Sequence, residues 1–236
     1  MCGLDFARLY PPATLALLAV LVGCAEGPMP YIMSLNPKTR QEWAADEMYE
    51  PTLHRQLAEV KALRESAATL SAAKQRHWSG ELQYILQHHD NPLLRASAVK
   101  TLAEFAVPEA NEGLRVALTD GDATVQQTAC AAWGARGGEE ALQRLAEVLD
   151  TEKELDVRIA AARELRRFQD PTAYRALGVA LQDPDPALQY QAVESLREAS
   201  GKEYGNDLQA WRKFARGQDP GPEHSPSVAQ RLRKLL

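Results

Sequence analysis

Cysteine is nearly absent from this chain: Cys2, Cys24 and Cys130 are the only three in 236 residues. No framework of disulfides can therefore hold the fold together. Aromatic residues are scarce, at 6 %, so a core has to be built from aliphatic side chains. There is no excess of basic residues. Lys and Arg number 27 against 32 Asp and Glu, and the net charge of -5 argues against a nucleic-acid binder, which needs a basic face. Long hydrophobic runs are missing too. The stretch from Ala13 to Gly23, broken only by Thr14, would reach about 16 Å as a helix, half of a ~30 Å hydrocarbon core. Gly-rich phosphate loops, nucleophile elbows and zinc-ligand spacings are likewise lacking. What is abundant is Ala, Leu, Gln, Glu and Arg, a helical composition.

The short apolar run suits the centre of an export signal. Arg8 is offset by Asp5 and no twin arginine precedes the run, which favours a general secretory route. Leu21-Val22-Gly23-Cys24 resembles the lipobox of bacterial lipoproteins. The resemblance implies that residues 1–23 are a lipoprotein signal peptide, cut before Cys24 once its thiol carries a diacylglyceryl group. Cys24 would then be the lipidated mature N-terminus, with palmitate-type chains as its membrane anchor. Cleavage after Ala25, with Gly23 and Ala25 as the small pair, would instead release a soluble secreted protein. On the lipoprotein reading the protein is exported and anchored in the bacterial cell envelope, at the periplasmic face of the outer or inner membrane. Cys130 is then left without an intramolecular partner.

The rest of the chain is organised by an internal repeat, the first thing to seek in a helical composition. LRASAVKTL from Leu94, VQQTACAAW from Val125, VRIAAAREL from Val157 and LQYQAVESL from Leu188 start 31, 32 and 31 residues apart. Each has an aliphatic residue, an alanine four on (Ala98, Ala129, Ala161, Ala192) and a large apolar residue four further (Leu102, Trp133, Leu165, Leu196). That i, i+4, i+8 row is one stripe of a helix. A second row, Leu86, Leu118, Leu149 and Leu181, keeps step. Breakers such as Asn91-Pro92, Gly137-Gly138, Asp170-Pro171 and Asp183-Pro184-Asp185-Pro186 separate the rows. The turn aspartates Asp90, Asp120, Asp150 and Asp183 are expected to act as helix N-caps. Each period therefore reads as helix, loop, helix, turn. One such hairpin cannot bury its stripe alone, whereas stacked neighbours can. The fold class is all-α, an α-solenoid of about five stacked helix pairs with a period near 31 residues.

Asp-Pro-Asp-Pro ahead of an aliphatic helix with a central alanine, together with Leu94-Arg95 and Val157-Arg158, resembles the short bacterial form of HEAT repeats. The resemblance runs from about Pro51 to Arg216 and is clearest from Asp90 to Ala199. Gln126 and Gln189 stand where arginine is usual, so an uninterrupted arginine ladder is not expected. Trp133 in place of leucine implies a locally expanded core. The end units are atypical, as solenoid caps should be. Thr52 to Ser71 with Glu81 to His88 would make the first pair, and Trp211 and Phe214 on a helix from about Asp207 would close the last.

The chain thus divides into a signal peptide (1–23), a lipid-anchored tether with a possible docking helix around Trp43, Met48 and Tyr49 (24–50), the HEAT-like solenoid (51–216) and a flexible tail (217–236). The tail ends in a short basic amphipathic segment, with Val228, Leu232, Leu235 and Leu236 against Arg231, Arg233 and Lys234.

Chemistry is sparse. His88-His89-Asp90 is the most metal-like cluster, but neighbouring helix residues diverge by about 100°, and histidines suit a helix C-terminus. Asp120-Gly121-Asp122 reads as a turn and cap, without the later ligands of a calcium loop. Cys130 takes an alanine-like position as a small buried hydrophobe. Arg163, Arg166 and Arg167 lie off the apolar stripe, as a solvated face or a site for an acidic partner. No catalytic, cofactor or metal residue is assigned, and the chain is not expected to be an enzyme. The resemblance implies a membrane-anchored scaffold or adaptor for other proteins, with no role for nucleic acid. The binding surface would involve second-helix residues such as Arg115, Gln143, Arg144, Arg175 and Gln182. The alternative is a HEAT-type lyase or enzyme accessory subunit that holds a substrate protein.

Overall fold

A computed structural model describes residues 51–222. Cys24, the expected tether and the basic segment 227–236 lie outside the described residues. The chain divides into two units, Met1–Arg55 and Gln56–Leu236. Only residues 51–55 of the first are described, and the second holds the helical array from Gln56 onward.

Ten α-helices and no strand are found among the described residues: α1 Leu53–Ser66, α2 Ala72–His88, α3 Pro92–Ala103, α4 Glu109–Ala117, α5 Ala123–Arg136, α6 Gly138–Thr151, α7 Leu155–Leu165, α8 Pro171–Ala180, α9 Pro186–Ser200 and α10 Leu208–Ala215. From α3 onward they pair in order, α3 with α4, α5 with α6, α7 with α8 and α9 with α10, whereas α1 and α2 pack on each other only weakly. The first-layer helices α3, α5, α7 and α9 pack each on the next, and in the second layer α2 packs on α4, α6 on α8 and α8 on α10. The first pair differs from its expected form. Its second helix begins at Ala72 rather than Glu81, because Ser71 caps it by accepting from the Lys74 amide.

All twelve residues of the repeated stripe are buried, from Leu94, Ala98 and Leu102 through to Leu188, Ala192 and Leu196. So are Leu86, Leu118, Leu149 and Leu181 of the second row. Each period thus contributes one aliphatic seam to a continuous core. Trp133 is fully buried in that seam, and its indole N–H donates to the Leu114 carbonyl at 3.3 Å. Beside it α4 and α6 pack less closely than the other second-layer neighbours, and the Arg115–Glu140 pair bridges them. The turn from α5 to α6 runs through Gly137 at φ 69° and Gly138 at φ 84°, a left-handed region that side chains with a Cβ avoid.

The capping assignment needs correction at all four aspartates. Besides Ser71, the residues that cap are Asn91, Asp122, Asp170, Asp185 and Asp207, whose side chains accept first-turn amides. Asp90 precedes the cap, and Asp150 lies in the last turn of α6. Asp120 and Asp183 sit two residues before their caps and accept from the Asp122 and Asp185 amides, each at 2.8 Å. That position frees their remaining oxygens to face the preceding repeat.

At the far end Tyr204 meets Trp211 edge-on, with ring centroids 4.9 Å apart, and Phe214 packs beside both. Trp211 is fully buried and its indole N–H donates to the Gly205 carbonyl, so the last hairpin is closed as its sequence implies.

Candidate protein-binding surface

Repeat-to-repeat ion pairs decide which charges are free to meet a partner. Arg95 on α3 grips Asp120 with two parallel bonds, Nε to Oδ2 and Nη2 to Oδ1, both 2.8 Å. Its Nη1 also donates to the His89 and Asp90 carbonyls. One period later Gln126 donates to Glu152 at 3.1 Å, and after that Arg158 donates to Asp183 at 2.6 Å. The last unit has no following turn to grip, and Gln189 donates to the Asp183 carbonyl instead. The ladder therefore continues at Gln126 with an amide in place of a guanidinium and ends at Gln189. The carboxyl of Asp183 is held below the usual range, first by the Asp185 backbone N–H and then, against burial, by Arg158. Glu152 is lowered by the backbone amides of Lys153 and Glu154, with a smaller contribution from Gln126.

The second-helix residues expected to form the binding surface divide into two groups. Arg115 pairs with Glu112 and, at 2.7 Å, with Glu140 across to α6. That contact, with burial opposing it, draws Glu140 below its ordinary carboxyl range. Arg144 pairs with Glu147, and Gln143 donates to Glu139. These polar groups already have partners within the array. Arg175 and Gln182 instead share an open groove of about 550 Å³ between α6 and α8, floored by Leu149, Ala176 and Ala180.

A second groove, of about 490 Å³, lies on the other layer and touches four helices, bringing together Arg64 of α1, Lys100 of α3 and Glu104 just after it, Thr128, Ala131 and Ala135 of α5, and Arg163 of α7. Of the three arginines singled out by sequence, Arg166 pairs with Glu198 at 3.1 Å and Arg167 with Glu164 at 2.7 Å. Arg163 alone faces this groove. A third groove at the amino-terminal end is apolar, lined by Val60, Leu63, Trp78 and Ile85.

Sequence reasoning missed Gly134 and Glu164. A Cβ on Gly134 would collide with the Glu164 side chain, so α5 and α7 approach at that glycine, and Glu164 is 7 % exposed. A glycine inside a helix costs about 1 kcal/mol against alanine, which is the signal that could have revealed a close crossing.

The remaining chemical candidates have structural roles. His88 stacks on Tyr84 with centroids 4.2 Å apart, and its Nδ1 lies 3.0 Å from the Tyr84 carbonyl. His89 Nδ1 accepts the Asn91 amide. Among the described residues no group of three or more His, Cys, Asp or Glu could hold a metal ion. Burial, with Glu164 and Glu152 adding to it, pushes the Cys130 thiol up to about 12. No helix among the described residues is long and apolar enough to cross a membrane.

Tandem helical hairpins in register, with cross-repeat pairing and open lateral grooves, define a solenoid of the kind that scaffolds protein interactions. The family model for HEAT repeats matches residues 81–166 and 152–213. The chain belongs to the HEAT repeat family. No curated protein matches it.

Proposed function

We propose that this protein is a lipid-anchored scaffold of the bacterial cell envelope, tethered through acylated Cys24 and holding a protein partner on its HEAT array. The observation that carries the binding role is the groove across α1, α3, α5 and α7, where side chains from four helices converge on one open surface. The anchor rests on Leu21-Val22-Gly23-Cys24 behind the short apolar run. Anchoring would raise the local concentration of the array for partners at the same membrane. The proposed role is non-catalytic. The buried thiol of Cys130 is kept protonated, and the grooves are open surfaces of the kind that suits a docked chain.

The test is expression of the full chain and of Cys24→Ala in a bacterial host, followed by membrane fractionation and mass measurement of the mature N-terminus. The parent is expected in the membrane fraction with a diacylglyceryl group on Cys24, and the variant folded but released or unprocessed. A variant that matures and fractionates like the parent refutes the anchor. Crosslinking in intact envelopes then tests the scaffold, and reproducible absence of any crosslinked protein counts against it.

A further inference from the structure

The groove on the first layer carries a charge that the chain as a whole does not. Arg64, Lys100 and Arg163 surround it, and none of the three has an ion-pair partner among the described residues. Two carboxylates share the rim. Glu164 is already neutralised by Arg167, which leaves Glu104 as the one unpaired anion among the lining residues. A local cationic surplus on a protein of net charge -5 is not an average property of its surface. It arises because, among the described residues, three unpaired cations face one unpaired carboxylate there, Glu164 being held by Arg167.

The floor between the cations is built of small side chains on α5, with Ala131 and Ala135 exposed. Alanine at a helix surface lets another backbone come close, near the short end of the usual 8–10 Å interaxial distance. A partner lying there would place acidic side chains within reach of Lys100 on one wall and Arg163 on the other. Complementary potentials of this kind set orientation and speed encounter.

From this charge complementarity we propose that the α3–α5–α7 groove docks an acidic, small-residue helical segment of a partner protein, with Lys100 and Arg163 as its two charge contacts and Ala131 as its floor. This deepens the scaffold reading and rests on it. The two fail separately, because the experiment uses purified protein and a defined probe and needs neither the anchor nor the native partner.

The probe is a fluorescein-labelled helical peptide of glutamate and alanine, with the same peptide carrying lysine for glutamate as control, titrated into the full chain bearing Cys24→Ala. The acidic peptide is expected to bind, and to bind less tightly as salt rises. Lys100→Glu with Arg163→Glu is expected to weaken it about tenfold or more, and Glu104→Gln to tighten it. Ala131→Trp, which fills the floor without altering charge, is expected to weaken it as well. Photocrosslinking from position 131 should capture the acidic peptide. Absence of acidic-peptide binding, equal binding of both peptides, indifference to the double reversal, or crosslinks that miss position 131 each overturn the proposal. Vesicles rich in anionic lipid are a further arm: if they bind through the same cations and the peptide does not, the groove belongs to a membrane surface and the peptide proposal is wrong.

Discussion

The Arg95–Asp120 bridge allows the repeat register to be measured. The side chains are 14 % and 6 % exposed, and one guanidinium makes four hydrogen bonds, two to Asp120 and two to the carbonyls of the preceding turn. Arg95→Ala removes all four. The carbonyls, at the edge of the turn, can be rehydrated, but Asp120 is left as a poorly solvated carboxylate with the Asp122 amide as its remaining donor. A fully buried pair broken on one side loses ~3–5 kcal/mol, and an exposed one ~0–1 kcal/mol. The residual exposure here places the expected cost at about 2–3 kcal/mol. With a urea slope of about 2 kcal/mol/M, the denaturation midpoint falls by roughly 1 M. Asp120→Asn keeps the turn bond and removes the charge, so the double variant completes a cycle whose coupling is expected at about 1–2 kcal/mol. Arg95→Gln, which copies the residue found at Gln126 and Gln189, should recover part of the loss. Equilibrium urea unfolding followed by circular dichroism reads all four. A single-variant cost under about 0.5 kcal/mol, or strictly additive costs, refutes the idea that this pair locks one repeat to the next.

Leu165 is fully buried in the α7 seam, and Leu165→Ala is expected to cost ~2–5 kcal/mol; an unchanged urea midpoint would contradict the register. Gly134→Ala pushes a methyl into the Glu164 side chain and should destabilise by about 1–3 kcal/mol, with thermal unfolding as the readout and a neutral result excluding the close α5–α7 crossing. Cys130, with its thiol raised to about 12, should resist iodoacetamide at neutral pH in the native protein and react once urea unfolds it, as peptide mass spectrometry would show; prompt native labelling would mean the helix opens. Asp183 and Glu152 are lowered in the folded state, so their contribution is complete above the ordinary carboxylate range and is lost as pH falls through their folded-state values. Stability that rises on acidification through that range would reverse the sign.

The two hydrophobic rows could be read from residue types alone, because burial in a helical repeat is written in apolar side chains at fixed spacing. Leu94, Val125, Val157 and Leu188 are each aliphatic and each buried, and their apolar partners at i+4 and i+8 are buried too. Caps were harder. In Asp120-Gly121-Asp122 and Asp183-Pro184-Asp185 both carboxylates accept a backbone amide, and which of the two caps the helix depends on backbone angles that composition does not encode. The binding surface was harder still, since a surface charge is defined by what it fails to pair with. Arg115 and Arg163 look alike as isolated residues on the polar faces of their helices. Yet Arg115 meets Glu140 at a separation of 25 residues, and Arg163 meets no acid among the described residues.

That separation is not arbitrary. Arg95 to Asp120 and Arg158 to Asp183 also span 25 residues, and Gln126 to Glu152 spans 26. Both numbers fall a little short of the repeat period, matching the distance from the start of one hairpin to the turn before the next. Once a period is known, the rungs from Arg95, Arg115, Gln126 and Arg158 can be found by counting forward one repeat less a turn, whereas Arg166 meets Glu198 32 residues on and Arg167 turns back to Glu164. Applied to α7, the count gives Arg158 its acid at Asp183, while the residue 25 positions beyond Arg163 is the buried Leu188. An arginine whose forward partner position is occupied by core has no acid there to neutralise it. Arg163 therefore has no cross-repeat acid in the register that locks Arg158 in place, and with the neighbouring Glu164 already held by Arg167 it is left facing the groove.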